Sequence, residues 1–454
     1  MKKEFFKTAV LTCLVISSLV LSAHIWYEEE LWSLDYSSFV YSLKNLFQKE
    51  NSGKFSSTDE LVYWSEFSPE FISFTYGSQK MVTYHASPDY PWASRVASQV
   101  VDSLQKEGEI VSITDEEYLN TYKTNSMMLK FPTDVSLLKF LKKDDGFLDT
   151  VKDPYVTTVV VGIDESQTNY LSFRDIKTDH AYRMPIKTVV NTEEIANTIL
   201  SSEQNSSFAF ELSFDVTKDN SERILFNRFV PITLGETGIC ALKATPIYYS
   251  SDYDGIFKAV GIVKNSARTY RDKEGTIHFI QNRSTLKIFE EGAFLFEATD
   301  SEAGVSLTNR NEREAIIEFA NLLYQNIAPE SDSYLGLQTV TKTDDGNRVY
   351  EFIYQTQNGA LYIEGEPAVR VVVKNGTILE YYQRLLEISL TDDRSTTTGV
   401  LEAYDSLYNR SDFNEKSKQT IRSMIPCHIF SGEETYVGWV CRFSDQSLSY
   451  FIPG

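Results

Sequence analysis

An uncharged run from Thr8 to Trp26, TAVLTCLVISSLVLSAHIW, divides this chain before any other feature is weighed. As a helix rising about 1.5 Å per residue, it just spans a hydrocarbon core of about 30 Å. Lys2, Lys3 and Lys7 precede it, and Glu28, Glu29 and Glu30 follow it. Positive charge stays on the cytoplasmic side, so the tail 1–7 is expected inside and everything from Tyr27 outside. The run 8–26 is then a single-pass anchor, and the rest must fold as an extracytoplasmic body.

A cleaved secretory signal also begins with lysines and an apolar stretch. Cuts after Ala23 or Ser22 would place Leu21 or Val20 at the −3 position, and neither makes an A-x-A pattern. Cys13 sits in the middle of the run, where a lipidation cysteine would not. The reading is therefore an uncleaved anchor at the cell membrane. Ala9, Cys13 and Ser17 fall four residues apart and form a ridge of small side chains on one helix face, flanked by Leu14 and Val20. These five positions are the candidate contacts with a transmembrane partner, although small residues also occur in any membrane helix.

Of the 454 residues, 42% are hydrophobic and 13% aromatic, enough for sizeable cores in about two to four domains. The net charge of −21 argues against nucleic acid and against adsorption to anionic lipid. With only four cysteines, the body is not a disulfide scaffold. Cys427 and Cys441 lie on the neighbouring strand-like runs IPCHIF and YVGWVCRF, and either pair across a hairpin or remain buried free thiols.

Periodicity predicts an α+β body of helices packed on antiparallel sheets. Residues 27–60 read as a juxtamembrane helix (Tyr36–Glu50) and a polar linker, 61–204 as an N-terminal α+β domain, 205–300 as a middle α+β domain, and 301–454 as a C-terminal helix-plus-hairpin domain. Within them, helices are expected at Tyr90–Glu107, Thr133–Lys142, Asn191–Leu200, Asp254–Lys264, Glu312–Asn326 and Thr398–Tyr408, and one opens at Asp115 as its N-cap. The β-branched run Pro154–Gly162 is the most emphatic strand. Asn375-Gly376, between apolar runs, is the clearest hairpin turn.

No catalytic, cofactor or metal site is expected. The five histidines His24, His85, His180, His278 and His428 have no ligand at metal spacing, and no nucleophile elbow, phosphate loop or Cys-x-x-Cys occurs. Asp252-Tyr253-Asp254-Gly255 begins like a calcium loop but lacks the closing glutamate.

The opening Lys2-Lys3-Glu4 and Phe6-Lys7-Thr8, the run through Ser17-Ser18-Leu19, Trp26 at its outer end, the overall length and the strand-rich ending around Cys427–Pro453 carry a resemblance. In layout the chain resembles the YycH (WalH) family, membrane-anchored regulatory proteins of the WalK/WalR (YycG/YycF) two-component system of Gram-positive bacteria. The resemblance implies a non-enzymatic regulator with two partners: a WalK/YycG-like sensor histidine kinase that controls cell-wall metabolism, and a second single-pass regulator of YycI type. It also likens 301–454 to YycI and PepSY modules. Two rival readings are an envelope protein that binds or inhibits a cell-wall hydrolase or protease, and a structural cell-wall binding protein.

Overall fold

The computed structural model describes residues 57–187 and 237–453, apart from short gaps at 78, 123, 145, 149–150, 164–167, 249–253, 308–310, 410–420 and 444–448. The anchor run, the Tyr36–Glu50 helix and the Asn191–Leu200 helix lie outside the described residues. Among the described residues, no helix is long and apolar enough to cross a membrane.

The first lobe begins with α1 (Thr58–Phe67), capped by the Ser57 side chain, which accepts from the Glu60 amide at 3.1 Å. Pro69 disfavours helical backbone at the residue before it, so the helix ends at Ser68 in extended conformation. This helix was not expected: it begins in the last three residues of the expected linker and runs into the start of the N-terminal domain. Its pattern is masked because two of its buried residues, Ser65 and Glu66, are polar. Strands β1 (Phe71–Tyr76) and β2 (Gln79–Tyr84) form a hairpin. Helix α2 (Tyr90–Ser103) follows, with Pro91 in its first turn. It stops well before Gly108, because Leu104 turns extended to reach the core and Gln105–Lys106 (β3) joins the sheet.

After β4 (Val111–Ile113), α3 (Asp115–Thr121) is capped one residue earlier than expected. Thr114 and Glu117 form a capping box: the Glu117 amide donates to Thr114 Oγ1 at 3.2 Å, and the Thr114 amide donates to Glu117 Oε2 at 2.7 Å. Strand β5 (Ser126–Ser136) runs into residues expected to be helical, and only α4 (Leu137–Leu141) coils, with Ser136 as its cap. Strands β6 (Tyr155–Ile163), β7 (Asn169–Asp175) and β8 (His180–Lys187) complete an antiparallel sheet in the order β2-β1-β5-β6-β7-β8-β3, with β4 also on β8. The β-branched run of β6 is buried on both faces. Val159 and Val161 pack under α2, while Val160 joins a second core on the far side.

The second lobe starts with β9 (Thr237–Pro246) and α5 (Asp254–Ala259). Next come β10 (Arg268–Arg271), β11 (Ile277–Gln281), β12 (Ser284–Phe289), β13 (Ala293–Ala298) and β14 (Val305–Ser306). Helix α6 (Glu312–Ile327) leads to β15 (Tyr334–Lys342), β16 (Arg348–Thr356), β17 (Gly359–Ile363), β18 (Val369–Lys374), β19 (Thr377–Arg384) and β20 (Leu386–Thr397). Helix α7 (Val400–Tyr408) precedes β21 (Ile421–Ser431), β22 (Glu434–Phe443) and β23 (Ser449–Pro453). Thirteen strands form one sheet with the path β10-β11-β12-β13-β19-β18-β16-β17-β21-β22-β23, and β9 pairs with β20 beside it. The boundary expected at 300/301 falls inside this sheet, since β13 hydrogen-bonds to β19. One pair, β17 with β21, is parallel, against the all-antiparallel expectation. The face under α5 and α6 is one apolar core, in which Ile316, Phe319 and Leu323 meet Phe296, Val371 and Tyr381.

At the β18–β19 turn, Asn375 and Gly376 both take left-handed backbone (φ 50° and 76°), as a type I′ hairpin requires. Nothing lies within 4 Å of a Cβ added to Gly376. Gly376→Ala therefore isolates the backbone cost, expected at about 1 kcal/mol. In urea, the midpoint should fall with an unchanged slope.

Candidate functional site

A lone arginine in the otherwise apolar strand VGWVCRF marks the place where the two lobes meet. Arg442 on β22 is only 7% exposed, and a buried guanidinium must find acceptors. It donates to the Glu70 carboxylate, just ahead of β1 in the first lobe, and to the Tyr362 hydroxyl on β17. With its amide carbonyl turned toward the guanidinium, Gln338 accepts from Arg442 Nε at 2.9 Å. Gln338 is the extra residue of a bulge in β15 between Leu337 and Thr339, and such bulges re-aim a side chain. Burial disfavours the Arg442 charge, but Glu70 and Tyr362 outweigh it, and its pKa moves up. Burial also pushes the Tyr362 hydroxyl well above its usual range.

Around this ion pair, Phe71, Tyr84 and Val160 of the first lobe share one apolar cluster with Ile425, Cys427 and Trp439 of the second. Tyr84 meets Trp439 edge to face at 6.2 Å, and Trp439 Nε1 donates to the Thr398 carbonyl at 3.0 Å. The backbones touch as well, since the Cys240 amide donates to the Ala86 carbonyl at 3.1 Å. A Cβ on Gly359, whose φ is +124°, would lie 2.6 Å from Ala86 Cα, so only glycine permits that approach.

Helix α1 forms a second part of the seam. Its Tyr63 hydroxyl donates to the Phe140 carbonyl of α4 at 2.8 Å, and Phe67 packs in the first lobe's core. Its Val62 packs against the second lobe's core, and Ser65 Oγ accepts from Asn321 Nδ2 of α6 at 3.2 Å. Glu66 forms a buried ion pair with Arg313 of α6, Oε1 to Nε 2.9 Å. Burial raises the Glu66 pKa, with Arg313 and Lys139 pulling it back. A half-exposed pair, Lys139 to Glu314 at 2.5 Å, adds a weaker tie between α4 and α6. The helix thus wedges between the lobes and contacts both.

The sequence-derived candidates fall elsewhere. Ala9, Cys13, Leu14, Ser17 and Val20 lie outside the described residues. Cys427 and Cys441 are both buried free thiols, their pKa values pushed up by burial. The hairpin register places Cys427 opposite Gly438 and Cys441 opposite Met424, so the two point to opposite faces and do not pair. Among the described residues, no group of three or more His, Cys, Asp or Glu is placed to hold a metal. The seam itself was missed. Its signals were Arg442 inside an apolar strand and the Glu66-Phe67-Ser68-Pro69-Glu70 break, with a carboxylate on either side of Pro69.

Two predictions follow from the burial at this seam. Arg442→Met strands the Glu70 carboxylate in the interior and should cost about 3–5 kcal/mol in urea denaturation. Adding Glu70→Gln should recover part of that loss, whereas independent sites would add. The second concerns pH. His85 and His428 are buried and neutral, each held down to about 4 by burial. Between about pH 6.5 and 4 the unfolded chain binds these protons and the folded chain does not, so stability falls as pH falls, by up to about 3 kcal/mol per histidine. Glu66, raised by burial, works in the opposite direction. Thermal melts of the parent and of His85→Gln and His428→Gln across this window should show a smaller pH slope in the variants.

No family model and no curated protein matches the sequence. Among solved structures, the crystal structure of YycH from Bacillus subtilis matches with a TM-score of 0.58 at 11% identity. The match covers 87% of this chain and 97% of that one. The chain therefore shares the α+β fold of YycH along most of its length.

Proposed function

We propose that this chain is a membrane-anchored extracytoplasmic regulator that biases a sensor histidine kinase of the WalK/YycG type, in concert with a second single-pass protein of YycI type. The observation that carries the reading is the fold likeness to YycH, which extends over 87% of this chain. The uncharged run Thr8–Trp26 supplies the anchor, with the N-terminus in the cytoplasm and the body outside. The body acts by binding, and the signal passes to the kinase through helix packing in the membrane and contacts outside it. A regulator of this kind must contact two kinase states unequally, because equal affinity for both shifts nothing. Helix α1 suits that task, being the first described element after the anchor and tied to both lobes through Tyr63, Ser65 and Glu66. A change in how the lobes sit against α1 is then a change in how the chain leaves the membrane.

The test is disulfide crosslinking in native membranes. Single cysteines are placed along Thr8–Ile25 with Cys13 otherwise replaced. Crosslinks at helical spacing to a histidine kinase or a second single-pass protein are expected, strongest at positions 9, 13, 14, 17 and 20. Mature protein lacking the run, or crosslinks without periodicity, would overturn the reading.

A further inference from the structure

The thirteen-stranded sheet begins with an edge of a different character from the rest of the molecule. Between residues 255 and 289 the chain carries seven lysines and arginines against Asp272 and Glu274. Arg283 and Lys287 pair with Asp300, Glu302 and Glu297, whereas Arg268 and Lys273, at the strand itself, enter no ion pair among the described residues. At the centre of this segment is β10, in which Arg268, Thr269, Tyr270 and Arg271 are all exposed. β10 pairs with β11 alone among the described residues, and none of them covers its other side. The Asp272 amide donates to the Thr276 carbonyl at 3.0 Å, which makes 272 and 276 a hydrogen-bonded pair. Antiparallel pairs alternate, so Arg268 and Tyr270 bond to β11, while the amide and carbonyl of Thr269 and Arg271 face outward.

The edge of β15 shows how the same fold closes such a row. There the Asn321 side chain imitates a neighbouring strand: its Oδ1 accepts from the Leu335 amide at 2.8 Å and its Nδ2 donates to the Leu335 carbonyl at 3.0 Å. Among the described residues, no equivalent side chain plugs the outward groups of β10. Instead Tyr270, 45% exposed, stacks on His278 at 4.5 Å with the rings within 5° of parallel, a flat surface beside the open edge. The Arg271–Glu290 contact at 3.4 Å joins two side chains that are each more than half exposed, so a competing carboxylate displaces it at little cost.

We propose that the free edge of β10 is a docking site for an extended, acidic segment of a protein partner, which adds to the sheet as a further strand. Main-chain hydrogen bonds to Thr269 and Arg271 supply the binding, and Arg268 and Arg271, three residues apart and so on opposite faces of the sheet, each select a carboxylate on its own face. Antiparallel pairing of two β10 edges through their outward residues would set Thr269 against Arg271 and Arg268 against Asp272, so a second copy is an outcome of the test: dimerisation of the full chain that Thr269→Pro abolishes would overturn the proposal. Charged residues at an edge commonly deter self-pairing, and the same charges admit a partner of opposite sign. An anionic polymer would meet the arginines but leave the outward amides and carbonyls unmatched. The site does not depend on the kinase reading above.

The experiment uses the full chain in detergent micelles and a fluorescein-labelled octapeptide of valine and threonine that carries two glutamates three positions apart. Polarisation should report binding that weakens with salt, is absent for the analogue with lysine in place of both glutamates, and falls by at least about tenfold, or about 1.4 kcal/mol, with Thr269→Pro. That proline deletes an outward N–H and no bond to β11, so the melting temperature should stay unchanged. A peptide N-methylated at alternate residues, tested on the unaltered chain, should lose binding in parallel and serves if the proline variant does not fold. Absence of binding at low salt, equal binding by the methylated peptide, or retention by Thr269→Pro would overturn the proposal. Competition by poly(glycerol phosphate) that survives Thr269→Pro would assign the edge to a polymer instead.

Discussion

The buried contact between Arg442 and Glu70 is the interaction on which the arrangement of this molecule depends. Each group alone would be too costly to bury, and each comes from a different lobe. Together with Tyr362 and the bulged Gln338, they satisfy the guanidinium on several sides. The apolar cluster around them supplies most of the burial, and an apolar surface by itself tolerates sliding. The ion pair, the glycine contact at Ala86 and the Trp439 hydrogen bond do not, so they define one docking geometry.

That geometry gives the first lobe's sheet its unusual character. Helices α2 and α4 pack on one face of this sheet, and only the short α3 packs on the other. The rest of that face, with Phe71, Val82, Met128 and Val160, is covered by the second lobe. The continuous β-branched run of β6 is the sequence's response to burial on both sides, as strands of parallel sheets show for the same reason. The two lobes are therefore mutually dependent, and their separation would expose a large apolar face.

Helix α1 is the first described element of this paired body, and it contacts each lobe through a different part of its surface. A polar helix face buried between two lobes is a poor stabiliser by area and a good reporter of position, since Glu66 and Ser65 have partners only in one arrangement. This is the property that the proposed regulatory role requires of α1. The open edge of β10 lies on the same sheet, at the opposite end of the strand path from β23, and offers a separate surface for a partner.

Local chemistry determined much of the molecule. Strands β1, β11 to β13, β18 and β19, helix α6 and the Asn375-Gly376 turn follow from periodicity and turn residues, because each buries one face in its own lobe. Readings failed where a tertiary contact overrode the local pattern. Thr133–Ser136 are drawn into β5, and Leu104 leaves the α2 helix for the core. Helix α1 escaped detection because the partners of its polar buried face, Asn321 and Arg313, come some 250 residues later. Strand β9 likewise finds β20 only across a long stretch of sequence. The sequence by itself determined the uncharged run, the acid excess, the α+β composition and the absence of recognisable catalytic motifs, since these reside in single residues or short windows. Only the tertiary structure decided that Arg442 meets Glu70, that Cys427 and Cys441 face apart, and that β10 is left at an edge. Pairing between distant segments depends on register and on which faces remain to be covered, and no local window contains either.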